Sequence, residues 1–183
     1  MNAPQTSFFS LSNTETHIYL VRHGESEGNV RQVLQGQTHG CLTALGRQQA
    51  HDTAQKLANV CVDVFISSDL RRAVDTCSIL AEIHSKAKIL TTPLLRERDW
   101  GDFTNLFIPD LKDKSLPANV ETLEQLFSRA RRWLDEVIEQ HAGKTIVAVS
   151  HGIMLKAIQA VFYGKKMHEV EKMTNAEVRQ LQL

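Results

Sequence analysis

Apolar residues gather in short unbroken runs along this chain, and each run stops at residues that carry chemistry. Ile18-Tyr19-Leu20-Val21 leads into Arg22-His23-Gly24, and Thr145-Ile146-Val147-Ala148-Val149 into Ser150-His151-Gly152. Between them, Val62-Asp63-Val64-Phe65-Ile66 leads into Ser67-Ser68-Asp69. Such runs predict strands, the first and last buried on both faces. Elsewhere the spacing becomes helical. Thr43 is placed to cap a helix reaching about Asn59, with Ala50, Ala54, Leu57 and Ala58 on one face. Ser67-Ser68-Asp69 offer N-caps for a helix whose apolar face is Leu70, Val74, Cys77 and Ala81. Thr122 and Gln125 stand at capping-box spacing. The helix they open carries a stripe of Leu123, Leu126, Phe127, Ala130, Leu134, Val137, Ile138 and His141, and Gly143 ends it. A last helix follows His151 and closes after Phe162, with Gly164 at C′. Lys88-Ile89-Leu90-Thr91 predicts another strand, and the tail from His168 to Leu181 an edge strand.

This alternation of strand and helix predicts an α/β fold, a three-layer α/β/α sandwich. Its central sheet is mostly parallel with an antiparallel edge strand. Residues 1–16 are expected to be a flexible polar arm and residues 17–183 a single catalytic domain. Parallel strands deliver their C-terminal ends to one edge of the sheet, where ligands of open α/β folds bind. His23 and His151, far apart in sequence, are therefore expected to meet there beside Arg22. The connection from Glu25 to Leu42, broken by Gly28, Gly36 and Gly40, is long enough to be functional.

Composition narrows the classes. At 183 residues, 42% hydrophobic and 23% charged, the chain reads as an ordinary globular protein. Its formal net charge is zero, so no global field draws it to nucleic acid or to an anionic membrane. No apolar run nears the roughly 18 residues of a membrane span, and residues 1–16 lack the pattern of a signal peptide. Cys41, Cys61 and Cys77 are odd in number and lack CxxC spacing, which disfavours a disulfide framework or a zinc site and suits a reducing cytoplasm. The 8 histidines show no HxH or HExxH pattern, so no metal and no cofactor is expected.

Histidines, arginines and helix N-termini in one crevice make an anion site, because a guanidinium donates two parallel hydrogen bonds to neighbouring phosphate oxygens. A neutral imidazole there serves as base or nucleophile. Glu97 is a candidate general acid, although on its residues alone a solvated carboxylate is the default. On a helical wheel Arg71 lies beside the apolar face and Arg72 nearly opposite it, so periodicity does not choose between them.

The motifs Leu20-Val21-Arg22-His23-Gly24-Glu25-Ser26-x-x-Asn29, Gln35-Gly36 and Leu42-Thr43-x-x-Gly46-x-x-Gln49-Ala50 resemble the histidine phosphatase superfamily, also called the phosphoglycerate mutase-like family. Ser67-Ser68-Asp69-Leu70-Arg71-Arg72-Ala73, Leu95-x-Glu97-Arg98-Asp99-Trp100-Gly101, Val149-Ser150-His151-Gly152 and Thr174-Asn175-Ala176 continue the resemblance in the family's order. It implies His23 as the nucleophile that becomes phosphohistidine, and Arg22 and Arg72 as phosphate ligands with His151 as a further donor. Glu97 is implied as proton donor to the leaving group. Asn29, Gln35, Gly36, Arg98 and Gly152 complete the expected phosphate- and substrate-binding set, Arg98 either reaching substrate or pairing with Asp99 or Asp102. Trp100 and Trp133 read as packing residues, and the remaining histidines as structural or surface groups.

Within the resemblance, the short segment from Phe103 to Val120, with mixed charges, favours the phosphatase branch over the mutases. The expected activity is hydrolysis of a small phosphorylated metabolite. Phosphoglycerate mutase-type transfer and a non-catalytic phosphate-binding module are the alternatives. Where many members of that family have Glu-Gly after the acid-loop glycine, this chain has Thr104-Asn105, and Asn tolerates a positive φ well enough to keep the turn.

Overall fold

A computed structural model describes residues 15–181, so the expected arm, apart from Glu15 and Thr16, lies outside the described residues. Five strands form one sheet: β1 (His17–Arg22), β2 (Val64–Ser68), β3 (Lys88–Thr92), β4 (Thr145–Ser150) and β5 (Val178–Leu181). Their spatial order is β3-β2-β4-β1-β5. The first four run parallel and β5 pairs antiparallel with β1, as the run pattern predicts. The central strands are the unbroken apolar runs because helices cover both faces.

Alternate residues feed two cores. Ile18, Leu20, Ile66, Ile146 and Ala148 pack with Leu126, Trp133, Leu134 and Leu155, from α4 (Leu123–Gln140) and α5 (Gly152–Phe162). Val21, Phe65, Val147 and Val149 pack with Ala54, Leu57, Ala73, Cys77 and Leu80, from α2 (Ala44–Leu57) and α3 (Arg71–Ala81). The short α1 (Glu27–Val30) lies inside the long first connection, capped reciprocally by Ser26 and Asn29.

Several expectations shift. The second strand is Val64–Ser68, so Ser67 and Ser68 are buried strand residues and the N-cap of α3 is Leu70, without a side-chain bond. The Ser68 hydroxyl instead lies 2.9 Å from His151 and accepts the Leu70 N–H. Ala58 is exposed at the end of α2, and Leu123 and Ile138 lie at the exposed margins of the α4 stripe. Trp133, outside that stripe, is 1% exposed and belongs to the core. His168 sits in a 3₁₀ turn, and only Val178–Leu181 is strand, because a turn at Thr174–Glu177, with Ala176 at φ 56°, interrupts the tail. Gly164 takes φ 62° and the Lys165 N–H reaches back to the Ala160 carbonyl at 2.8 Å, a Schellman closure of α5.

The α4 capping box is present, with Gln125 N–H to the Thr122 hydroxyl at 3.1 Å and Thr122 N–H to the Gln125 amide oxygen at 2.8 Å. We predict that Thr122→Ala lowers unfolding free energy by about 1 kcal/mol in a urea titration. Trp133→Ala, which empties a buried site, is predicted to cost about 3–5 kcal/mol. Equal, small losses would contradict this weighting.

Candidate active site

The parallel pairing of β1 with β4 sets Arg22 opposite Ser150, and the His23 N–H continues the ladder to the Ser150 carbonyl at 3.0 Å. The next residues, His23 and His151, therefore leave adjacent strands together. Their rings lie 5.1 Å apart and both are buried. Gly24 turns the chain under the first of them: a Cβ there would come within 2.3 Å of the Gly46 carbonyl oxygen at the start of α2. The Gly24 N–H is held by the Thr76 hydroxyl at 3.1 Å, and the Asn175 amide donates to the His23 carbonyl at 3.0 Å.

Nδ1 of His23 is 2.7 Å from the Gly24 carbonyl oxygen. A carbonyl only accepts, so Nδ1 carries the proton and Nε2 keeps its lone pair. Nε2 accepts from Arg72 Nε at 3.3 Å. Nε2 of His151 is 2.9 Å from the Ser68 hydroxyl, and its Nδ1 is buried without a partner among the described residues. Burial first, and then the Arg72 charge, hold both imidazoles well below their usual pKa of 6.5.

Arg72, 1% exposed on the first turn of α3, donates to the carbonyls of Thr38, His39 (3.0 Å) and Gly36 (2.9 Å). It thereby ties the long first connection down over the sheet edge. Burial brings its pKa down to about 10, so it remains a cation at neutral pH. Arg71 is exposed and pairs with Asp75 at 3.7 Å. Arg22 commits one nitrogen to the Met173 carbonyl at 2.7 Å, while its Nε is buried and unpartnered among the described residues.

The Glu97 carboxyl sits at the start of α5, where its oxygens accept the N–H groups of Ile153 (3.2 Å), Met154 (3.2 Å) and Arg98 (2.8 Å). The loop carrying it is gripped from α4. Arg129 donates to the carbonyls of Leu94 (3.0 Å), Arg96 (2.6 Å) and Glu97 (3.2 Å) and makes a two-point pair with Glu121 (2.9 and 2.7 Å).

Arg22, His23, Asn29, Gln35, Gly36, Arg72 and Glu97, all named from the sequence, line one cavity of about 200 Å³. His151 stands beside His23, outside that lining. Besides His151, two further expected members, Arg98 and Gly152, are absent from the lining. The Arg98 guanidinium turns to the Glu121 carbonyl at 2.8 Å and stacks over Trp100 at 4.6 Å, pairing with neither Asp99 nor Asp102. Gly152 lies behind the wall, where a Cβ would meet Lys172 Cε at 2.7 Å and Arg22 Nε at 3.4 Å.

Trp100, Ile108, Ile153 and Lys172 line the cavity without having been anticipated. Trp100 was legible only as packing, and Lys172 lies two residues before the nearest motif. Thr104 packs close to Gly36, and Asn105 takes φ 69°, so the turn at Thr104-Asn105 is kept. Among the described residues no group of three His, Cys, Asp or Glu side chains is set to hold a metal ion. No helix among them is long and apolar enough to cross a membrane.

The chain belongs to the histidine phosphatase superfamily (branch 1), whose family model matches residues 18–183. Phosphoglycerate mutase-like protein 4 of Arabidopsis thaliana is 31% identical over 198 residues, covering 98% of this chain and 84% of that protein. The metal-independent phosphoserine phosphatase of Arabidopsis thaliana is 31% identical over 159 residues, covering 78% of this chain and 67% of that protein. Among solved structures, mycobacterial glucosyl-3-phosphoglycerate phosphatase complexed with VO3 superposes with a TM-score of 0.83 at 26% identity, over 91% of this chain and 90% of that one. Its relatives therefore include phosphatases.

The depressed histidines make stability pH-dependent. In the unfolded chain they titrate near 6.5; folded, they titrate well below that. Between those values the unfolded state binds more protons, so stability is lost as pH falls below about 6.5, by up to about 1.4 kcal/mol per pH unit for each histidine. Urea midpoints between pH 7.5 and 5.5 are predicted to fall less steeply in a His23→Ala, His151→Ala double variant. An unchanged slope would contradict the assignment.

Proposed function

We propose that residues 17–183 act as one catalytic domain that hydrolyses small phosphate monoesters through His23. The observation that carries this reading is the Nδ1–H bond to the Gly24 carbonyl, which leaves the Nε2 lone pair beside Arg72 in a cavity that also holds Arg22 and Glu97. In the first step His23 Nε2 attacks phosphorus and an N–P bond forms. The ester P–O bond breaks, its electron pair goes to the leaving oxygen, and Glu97 in its acid form supplies that oxygen with a proton.

The Glu97 carboxylate then takes a proton from water as the water oxygen attacks phosphorus. The N–P bond breaks, neutral imidazole returns and inorganic phosphate leaves. Arg22 Nε, the remaining donors of Arg72 and the unpartnered His151 Nδ1 supply hydrogen bonds for the phosphoryl oxygens. Before substrate arrives, the Arg72 Nε–H covers the His23 lone pair, so an incoming phosphoryl group must draw that guanidinium onto itself.

Metal independence is supported by the donor set, in which cations surround a single carboxylate, and by a relative named metal-independent phosphoserine phosphatase. Hydrolysis rather than mutase transfer is supported by the segment from Phe103 to Val120. It contributes Ile108 to the cavity but none of Asp110, Lys112, Asp113 or Lys114. The free thiols of Cys41, Cys61 and Cys77 suit a cytoplasmic setting.

Phosphate release from a panel of sugar phosphates, phosphoglycerates and an aryl phosphate tests the reading. His23→Ala is predicted to lower kcat by about 10⁴-fold or more. Glu97→Gln is predicted to lower it about 10²–10⁴-fold on alkyl phosphates. With the aryl phosphate, whose leaving group needs little protonation, Glu97→Gln should lose less. A chelator should change nothing. Full activity in His23→Ala would overturn the mechanism, and isomerised phosphoglycerate without phosphate release would overturn hydrolysis.

A further inference from the structure

Lys172 lines the cavity, yet neither the nucleophile, the acid nor the arginines need it. It comes from the loop before β5. Its stem and the Arg22 guanidinium crowd the space beside Gly152, where a Cβ would lie 2.7 Å from Lys172 Cε and 3.5 Å from Arg22 Cζ. The missing side chain at the start of α5 is thus what lets two cations share one wall.

The other cations there divide their donors between the backbone and the phosphoryl group. Arg72 holds three backbone carbonyls and His23, and Arg22 holds Met173. Lys172 is in no ion pair among the described residues, and burial and the neighbouring Arg22 charge push its pKa down while Glu97 pulls it up. A cation held against another cation at a cavity wall is stabilised by an anion that comes and goes.

The charges indicate what that anion is. Arg22, Arg72 and Lys172 contribute three positive charges, and a phosphoryl dianion offsets two. When Glu97 holds the proton it is to donate, it adds no charge, and one positive charge is left over. The other walls are largely apolar, from Leu34, Trp100, Ile108 and Ile153. A volume of about 200 Å³ has room for a short carbon chain beside the phosphoryl group, so the second anion must lie within a few bonds of the ester.

We propose that Lys172 is a specificity-determining residue that binds a carboxylate close to the phosphoester. The preferred substrates are then small phosphorylated carboxylic acids rather than phosphates of neutral alcohols. This rests on the hydrolase reading above.

The test compares 3-phosphoglycerate with glycerol 1-phosphate, which carries a hydroxymethyl group where the first has its carboxylate. Wild-type protein is expected to favour 3-phosphoglycerate in kcat/KM by about tenfold or more, mainly through KM, the factor expected of one well-placed charge contact. In Lys172→Met that ratio should fall to about one or two, and Lys172→Arg should restore most of it. Because the readout is a ratio within one preparation, partial misfolding does not mimic it.

Retention of the ratio in Lys172→Met, or its absence in wild type, overturns the inference while leaving hydrolysis intact. An equal loss on both substrates also overturns it and makes Lys172 a ligand of the phosphoryl group itself. No turnover of any monoester overturns the hydrolase reading and this inference together.

Discussion

The site depends on the register of two parallel strands. With Arg22 opposite Ser150, the residues that follow are both histidines, and they emerge side by side at the sheet edge. Neighbouring β2, parallel to β4 with Ser67 opposite Val149, delivers the Ser68 hydroxyl to the second of them. A slip of one residue would turn every one of these side chains to the other face and expose half of each core, so hydrophobic burial enforces the alignment that the chemistry needs. The apolar runs and the polar residues that end them thus form one device.

Burying that much positive charge is costly unless each guanidinium is hydrogen-bonded. Arg72 meets this by holding the carbonyls of the long first connection, and the wall of the cavity is thereby built by one of its charges. The same solution recurs on the opposite side. Arg129, mostly buried with Glu121, grips three carbonyls of the loop bearing Glu97, while the Glu97 carboxyl caps α5. Two helices hold the proposed proton donor, which limits how far it can stray from the phosphoester. Both arginines join packing to position.

The sheet and the residues at its edge are largely legible in the sequence, because unbroken apolar runs ending in Arg-His and Ser-His leave few alternatives. What the sequence concealed was the destination of side chains whose partners lie far along the chain. Ser68 read as a helix cap because its bond to His151 spans β2 and β4, and local patterns carry no such information. Periodicity could not separate Arg71 from Arg72; burial does. Arg98 sits next to Glu97 in sequence, but the Glu121 carbonyl and the Trp100 ring draw it out of the cavity. Arg129 and Lys172 occupied ordinary charged positions, since only the folded loops give them a role.

The central claim is that phosphorus is bonded to His23 during turnover. The most direct measurement is mass spectrometry of peptides from enzyme quenched in alkali during turnover of a phosphate monoester, because a phosphorus–nitrogen bond survives alkali and is lost in acid. The account predicts one acid-labile phosphoryl group on the peptide carrying His23, more of it in Glu97→Gln with an aryl phosphate, where its hydrolysis is slowed. Turnover with that peptide unlabelled under the same quench, or the label found on His151, would contradict it.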